Sequence, residues 1–497
     1  MALSEGALAI DGDKKIAANV SDQDTSDIDS NEPVQHVQKF QYSDERKLGI
    51  TGAFFLIVNK MIGTGIFSTP SSVFAATGSV GVSIFLWVIG GVLTFCGLSV
   101  FLEFGLAIPR SGGEKNYLER VYRRPKLLAT CVLLSQMILL GFSSGNSLAF
   151  GRYLLYASGS TEGDGWKARG IGVVCITFSV LLHGILPKWG IRLFNVLGVF
   201  KIVILFFIVF SGFAALAGHR RVPNPHNFDN AFHLGVGENY GGGGAYAYAT
   251  AILRVVYSYK GWENANYVLS EVKNPQRTLK IAAPLAVAGT TILYTLANVA
   301  YFAAISKEDL AASEVIVAGL FFRNVFGDNA GTKVLPVFVA LSNLGNVLAL
   351  FLHWAITVIV LLAPPAGPAY EFIVDLYTYP GAWINAFVAA GLLYLQYKKS
   401  EKWTSPFHSF LPVTVLYVLV NMFLAITPFI PPTGPTDPNG YPYYVFPIVG
   451  VGVLLAGAFY WLLWARVWPR LGHYQIESER IILEDGTEVV RYKKLKL

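Results

Sequence analysis

The chain has 497 residues, of which 53% are hydrophobic and only 14% charged, with a mean hydropathy of +0.48. Soluble domains carry roughly 25% charged residues, so composition excludes a soluble globular protein and indicates a polytopic membrane protein. The formal net charge of +6 is modest, and no basic stripe or motif supports a nucleic-acid partner.

Residues 1–47 are hydrophilic, with Asp22, Asp24, Asp27, Asp29 and Glu32 set among Ser, Thr and Gln. Such a composition cannot bury a core and reads as a disordered acidic cytoplasmic tail. The sharper reading is a docking tail for regulators such as ubiquitin-ligase adaptors, with Lys14 and Lys15 as modification sites. The polar start carries no cleavable signal peptide, so the first apolar span is expected to act as the targeting signal.

A transmembrane domain is expected over 48–465. Apolar spans fall near 48–77, 80–107, 127–157, 168–186, 191–217, 245–270, 281–305, 370–397, 408–429 and 442–465. Residues 466–497 form a C-terminal tail. Cys96, Cys131 and Cys175 all lie inside apolar spans, so no extracellular disulfide framework is expected. The loops are sided. Arg110, Lys115, Arg120, Arg123, Arg124 and Lys126 follow the second span, Lys188 and Arg192 the fourth, Lys273, Arg277 and Lys280 the sixth. Lys398, Lys399 and Lys402 follow the span ending near Tyr397, and the opposite loops are mixed or acidic apart from Arg220-Arg221. The positive-inside rule therefore puts both tails in the cytoplasm.

The uncharged segment 334–363 breaks this pattern. As one helix its 30 residues would run about 45 Å, well over a ~30 Å hydrocarbon core, yet it is short for two full spans and a loop. One crossing would invert everything after it. A shortened hairpin bent near Gly345-Asn346, a long tilted helix, or a chain lacking residues would each account for it.

Two spans carry interruptions. The first reads VNKMIGTGIFSTP over Val58 to Pro70, where Gly63 and Gly65 flank Thr64 and weaken a helix. The sixth reads YSYKGWEN over Tyr257 to Asn264. Irregular backbone at membrane depth survives only buried in protein or lining a cavity. The two spans are five apart, as in two inverted five-helix repeats that each open with a discontinuous helix. Freed N–H groups of Gly63, Thr64 and Gly65 would then hold a substrate carboxylate, and carbonyls of Tyr257, Ser258 and Tyr259 its ammonium group. Close helix packing is the plainer reading of a lone Gly-x-Gly.

The stretches IGTGIFSTP, AATGSVGVSIFLWVIGG, EFGLAIPRSGGEKNYLE and YSYKGWENANYVLSEVKNPQRTLK resemble the amino acid–polyamine–organocation transporters. The L-type branch is most similar and, through NYVLSEVKNP and LLAPPAGPAYEF, the fungal high-affinity methionine permeases. The resemblance spans about Leu48 to Arg466. It implies an all-α LeuT-type fold of about 12 helices, two five-helix repeats plus two more, and sodium-independent uptake of neutral amino acids at the plasma membrane. Substrate contacts carry over to Gly63, Thr64, Gly65 and Ile66 and to Tyr257, Ser258 and Tyr259, with Trp262 shaping or gating the side-chain pocket. ALSNLGNVLA resembles the start of the eighth helix and LFLHWAITVIVLLAPP the ninth, so the two are expected to be shortened and fused near Leu348 to Phe351. A missing exon would explain this, and transport would then be at risk.

Lys201, in FNVLGVFKIVILFF, is expensive at membrane depth and needs partners. The resemblance places it where sodium sits in sodium-coupled relatives, with carbonyls near the first break and Ser342 as partners, and protons as the coupling ion. Glu103 and Glu263 either relay a proton or pair with Lys60, Lys260 or a loop residue. Lys60 and Lys260 depart from the small residues of L-type transporters. His183 and His353 read as helix-packing residues, and Gly241 to Gly244 as a flexible lead into the sixth span rather than a phosphate loop. No metal-ligand cluster or nucleophile–base set suggests an enzyme, and no cofactor is expected. Without a cysteine near Ser158 to Arg169, a disulfide-linked heavy subunit is not expected.

Overall fold

The computed structural model describes residues 48–141, 143–160, 165–234, 244–344, 351–363, 369–432, 442–482 and 488–496. The acidic tail, 1–47, lies outside them, as do Gly241 to Gly243. The helical body runs from residue 45 to 464.

The first span is two helices, α1 (Ile50–Met61) and α2 (Thr64–Thr77), bent by 43° at the break. Ile62 and Gly63 both take extended dihedrals, and Gly63 caps α2. A left-handed Gly78 ends α2, and Ser79 N-caps α3 (Val80–Ala107), its hydroxyl accepting from Val82 N. A loop helix α4 (Glu114–Val121) leads to α5 (Leu128–Leu139) and α6 (Ser144–Ala157). The expected third span 127–157 is thus interrupted, its helix stopping at Leu139 and resuming at Ser144, which the sequence reading did not foresee.

Next come α7 (Trp166–Ile185) and α8 (Pro187–Leu216), then α9 (Ala245–Tyr259) and the single turn α10 (Asn264–Tyr267). Between α9 and α10, Gly261 has φ +120, a conformation that side chains avoid. The chain continues through α11 (Pro275–Ala304), two outer helices α12 (Lys307–Ala312) and α13 (Val317–Phe326), α14 (Ala330–Leu344) and α15 (Phe351–Leu362). It closes with α16 (Ala369–Tyr397), α17 (Leu411–Ile426) and α18 (Val445–Leu462). Among the described residues, seven helices are long and apolar enough to cross a membrane, or eight with the bent α1–α2 pair.

The two described helices of the long uncharged segment fit the hairpin option, whose bend near Gly345-Asn346 lies outside the described residues. The described part of α14 has 15 residues and that of α15 has 12, each shorter than a ~30 Å core requires at 1.5 Å per residue. α15 runs antiparallel to α7: Trp354 Nε1 donates to Thr177 Oγ1 at 2.9 Å, while Leu361 packs on Gly172 nearer the start of α7. The chain therefore returns toward the side it came from, and the charge pattern of the later loops is kept. The expected junction at Leu348 to Leu350 lies outside the described residues.

The start of α1 is tied to the chain beyond α10. Leu48 N donates to Glu271 O at 3.1 Å, and Lys273 N donates to Leu48 O at 2.8 Å.

A second unit begins at Ala465 and holds α19 (Trp468–Leu471) and an antiparallel hairpin, β1 (Tyr474–Ile482) with β2 (Glu488–Lys496). Its register pairs Tyr474 with Lys496 and Ile482 with Glu488. The sequence reading had taken 466–497 as a tail only. Asp485-Gly486 between two runs of β-branched and charged residues was the hairpin signal it passed over.

Candidate functional site

The two breaks meet. A side chain placed on Gly65 would come within 2.5 Å of Ser258 Cα, and one on Gly261 within 2.8 Å of Lys60 Cγ. α2 and α9 thus pack backbone to backbone at the breaks, and here Gly65 does what small residues do in membrane helices. Tyr294 of α11 bridges the pair: its hydroxyl lies 2.8 Å from Met61 O and 3.1 Å from Ser258 O. Thr64 Oγ1 lies 2.9 Å from Tyr257 OH and donates to Asn146 Oδ1 at 3.3 Å, drawing α6 into the junction. Thr69 Oγ1 donates to Gly65 O and lies 3.0 Å from Ser258 Oγ.

Around this junction is a cavity of about 680 Å³. Gly63, Thr64, Gly65, Tyr257, Ser258, Trp262 and Glu263 line it. Three helix ends converge there. The N-terminus of α2 presents first-turn N–H groups with no intrahelical acceptor, while α1 and α9 end in carbonyls. A positive helix end opposite two negative ones complements a zwitterion. Lone pairs remain for a guest, because each carbonyl can accept twice: Tyr257 O takes one bond from Lys260 N at 3.1 Å, and Ser258 O the one from Tyr294. Trp262 packs edge-on against Phe101, centroids 4.7 Å apart, and forms one wall.

Two of the expected contact residues stand off the cavity. Tyr259 is buried, with its hydroxyl donating to Trp87 O at 2.9 Å and its ring between Trp87 and Tyr294. Ile66 is wholly buried in the apolar core beside the first turn of α2.

The histidines pack helices as expected and also face the cavity. His183 and His353 both line the cavity rather than only packing helices. His353 Nε2 lies 3.0 Å from Ser143 Oγ where α5 gives way to α6, and Thr357 accepts from Ser143 N at 3.2 Å. The short α15 therefore pins the interrupted third span, which a sequence that treats that span as continuous gives no reason to expect.

Lys201 is fully buried, and its Nζ donates to Asn59 O at 3.1 Å, in the last turn of α1. A cation there is favoured by the helix end. The expected bond to Ser342 is not formed; Ser342 Oγ is buried with no hydrogen-bond partner. Glu263 accepts from Gly261 N at 3.0 Å and so helps hold the second break open.

Glu103 lies away from the cavity. Its Oε1 accepts from Trp403 Nε1 at 2.8 Å and lies 3.2 Å from His408 Nδ1; its Oε2 accepts from Gln396 Nε2 at 2.7 Å and Ser409 N at 2.6 Å. This fully buried carboxylate anchors the loop between α16 and α17 to α3. Glu103→Gln turns an amide N–H toward these donors and should cost about 2–3 kcal/mol. Thermal unfolding of the purified protein measures it, and a loss under about 0.5 kcal/mol would contradict the anchoring role.

The cavity also reaches Gly112, Glu114 and Lys115 in the basic loop that the charge rule assigns to the cytoplasm. Glu114 Oε1 accepts from Tyr267 OH at 2.9 Å. Burial, and after it the field of Glu263, pushes the Glu114 carboxyl up to about 7. Toward the opposite end, Arg254 of α9 grips Asp375 of α16 with Nε–Oδ1 at 3.2 Å and Nη2–Oδ2 at 3.0 Å. Arg254 Nη1 also donates to Ser72 O at 3.5 Å, and Tyr153 OH to Phe67 O at 2.6 Å. The cavity is thus open toward the basic loops and clamped toward the other side.

Comparison with known proteins identifies the family. The sequence profile of the amino acid permease family matches residues 48–354 and 347–454. This chain belongs to the amino acid permease family. The two matched segments overlap at 347–354, the place where the eighth and ninth helices were expected to be fused. The high-affinity methionine permease of Saccharomyces cerevisiae is 36% identical over 492 residues, covering 91% of this chain and 84% of that protein. The low-affinity methionine permease of the same yeast is 28% identical, covering 90% and 88%. The human b(0,+)-type amino acid transporter 1 is 27% identical, covering 82% and 86%.

Proposed function

We propose that this permease imports neutral amino acids of methionine's size across the plasma membrane, independent of sodium and driven by protons. The observation that carries this is the convergence of three helix ends on one cavity. The N–H groups of Gly63, Thr64 and Gly65 bind the α-carboxylate and the carbonyls of Tyr257 and Ser258 bind the α-ammonium. Similarity to two methionine permeases over most of their length supports the side-chain class.

Lys201 supports the sodium-independent reading. Its ammonium, on Asn59 O beside the first break, supplies the positive charge that a bound cation would otherwise bring to that helix end. A lysine enclosed in protein changes protonation state readily, which suits it to proton coupling.

Uptake of radiolabelled methionine into proteoliposomes tests this. Accumulation should follow an inward proton gradient, be unaffected when choline replaces sodium, and collapse with a protonophore. Lys201→Met should lose gradient-driven accumulation by tenfold or more, at about 1.4 kcal/mol per decade. A requirement for sodium would contradict the reading.

One observation favours a second reading. The described parts of α14 and α15, at 15 and 12 residues, are each shorter than the hydrocarbon core. A chain that binds methionine without accumulating it would be a transport-deficient sensor.

A further inference from the structure

A proton that enters with the substrate has to leave the cavity on the cytoplasmic side. Lys201 is enclosed against Asn59 O and does not line the cavity, so a proton held there needs an acceptor that does. Glu114 opens α4, in the basic loop, and lines the cavity together with Lys115, Lys260, Glu263 and Tyr267. Its Oε1 accepts from Tyr267 OH at 2.9 Å, and among the described residues no ion pair holds it. Tyr267 closes α10, the turn that follows the second break, so this bond joins the loop helix to the break itself. Glu263, by contrast, is occupied by Gly261 N at 3.0 Å.

The charges about Glu114 are mixed. Glu263 and Lys260 act on it from the break, while Tyr417 of α17 and Tyr117 of its own helix feel its charge in turn. Lys115, next in sequence, is exposed, and Tyr377 of α16 lines the same cavity. Burial, with the Glu263 charge second, brings the Glu114 carboxyl up to about 7. A group that takes and gives a proton near neutral pH suits transfer to a cytoplasm.

We infer that Glu114 is the group through which the transported proton is released to the cytoplasm. The inference rests on the proton-coupled reading of this cavity and names the exit for its proton. The O–H bond of the carboxyl breaks, its electron pair stays on the carboxylate oxygen, and the proton passes to water at the basic-loop end. Release and movement are then linked. An ionised carboxylate holds the Tyr267 hydroxyl about twice as strongly as the neutral acid does. Losing the proton therefore tightens the tie between α4 and α10, and regaining it loosens that tie.

Liposomes holding the full-length protein and a trapped pH dye test this, with radiolabelled methionine outside, the membrane potential clamped and no imposed pH gradient. Interior acidification is read per methionine taken up, so the ratio corrects for a general loss of activity. Glu114→Gln should lower the ratio by about fivefold or more, and Glu114→Asp, which keeps an ionisable carboxyl, should retain most of it. A smaller fall in Glu114→Gln overturns the assignment, as does an equal fall in Glu114→Asp, which would make packing the cause. If Glu114→Gln shows no net uptake, methionine-for-methionine exchange decides. Exchange retained supports the assignment, because that cycle releases no net proton; exchange lost overturns it. Wild-type uptake without acidification overturns proton coupling, and absence of wild-type uptake overturns the amino-acid reading; the exit residue falls with either.

Discussion

Asp375→Asn is expected to destabilise the protein by about 3–5 kcal/mol, because it leaves Arg254 buried without its countercharge. The pair is bidentate, at 3.0 and 3.2 Å, and the two side chains are only 10% and 6% exposed. The cost comes from stranding a desolvated guanidinium; replacing both partners by apolar residues such as Arg254→Met with Asp375→Leu should recover most of it. Thermal unfolding in detergent compares the single and double variants. If the double variant is no more stable than the single, burial of an uncompensated charge is not the cause. The pair also ties α9 to α16 on the clamped side of the cavity, so the single variant should make that side more accessible to a membrane-impermeant thiol reagent at an introduced cysteine.

Gly65→Val should abolish methionine binding and cost about 3 kcal/mol or more in stability. The added Cβ alone would lie 2.5 Å from Ser258 Cα, a backbone atom that can move only with α9. The first turn of α2 would be pushed from the carbonyls it faces, and a site made of backbone groups has no side-chain repair. Gly65→Ala should show the same effects in weaker form. Methionine affinity within threefold of wild type in Gly65→Val would remove both the packing and the binding role.

Much of the site was legible because it is written in local backbone chemistry. Gly63-Thr64-Gly65 and Lys260-Gly261 weaken a membrane helix, so both interruptions could be placed within a residue or two, and their spacing suggested that they face each other. Lys201 announced itself as a charge in an apolar run. Its carbonyl partner on α1 is found, while Ser342 is not. What the chain concealed depends on contacts distant in sequence. Glu103 looked like a candidate proton relay, but its donors come from residues 396–409, some 300 positions away. Tyr294 sits in an ordinary apolar helix, and nothing in its neighbourhood marks it as the link between the two breaks. The gap between α5 and α6 follows from the docking of His353 and Thr357, which no periodicity in residues 128–157 encodes. The segment that holds α14 and α15 was visible as a conflict of charge and length, and the described helices on either side of residues 345–350 fit a hairpin.

The pair of backbone bonds between Leu48 and the segment 271–273 has a mechanical consequence. α1 and the segment beyond α10 each adjoin a break, and at their far ends they are yoked to one another. A displacement of one at that end would carry the other with it or break the tie. The entry to α1 and the exit from α10 are thus stapled at one point, and loosening either end means breaking both bonds.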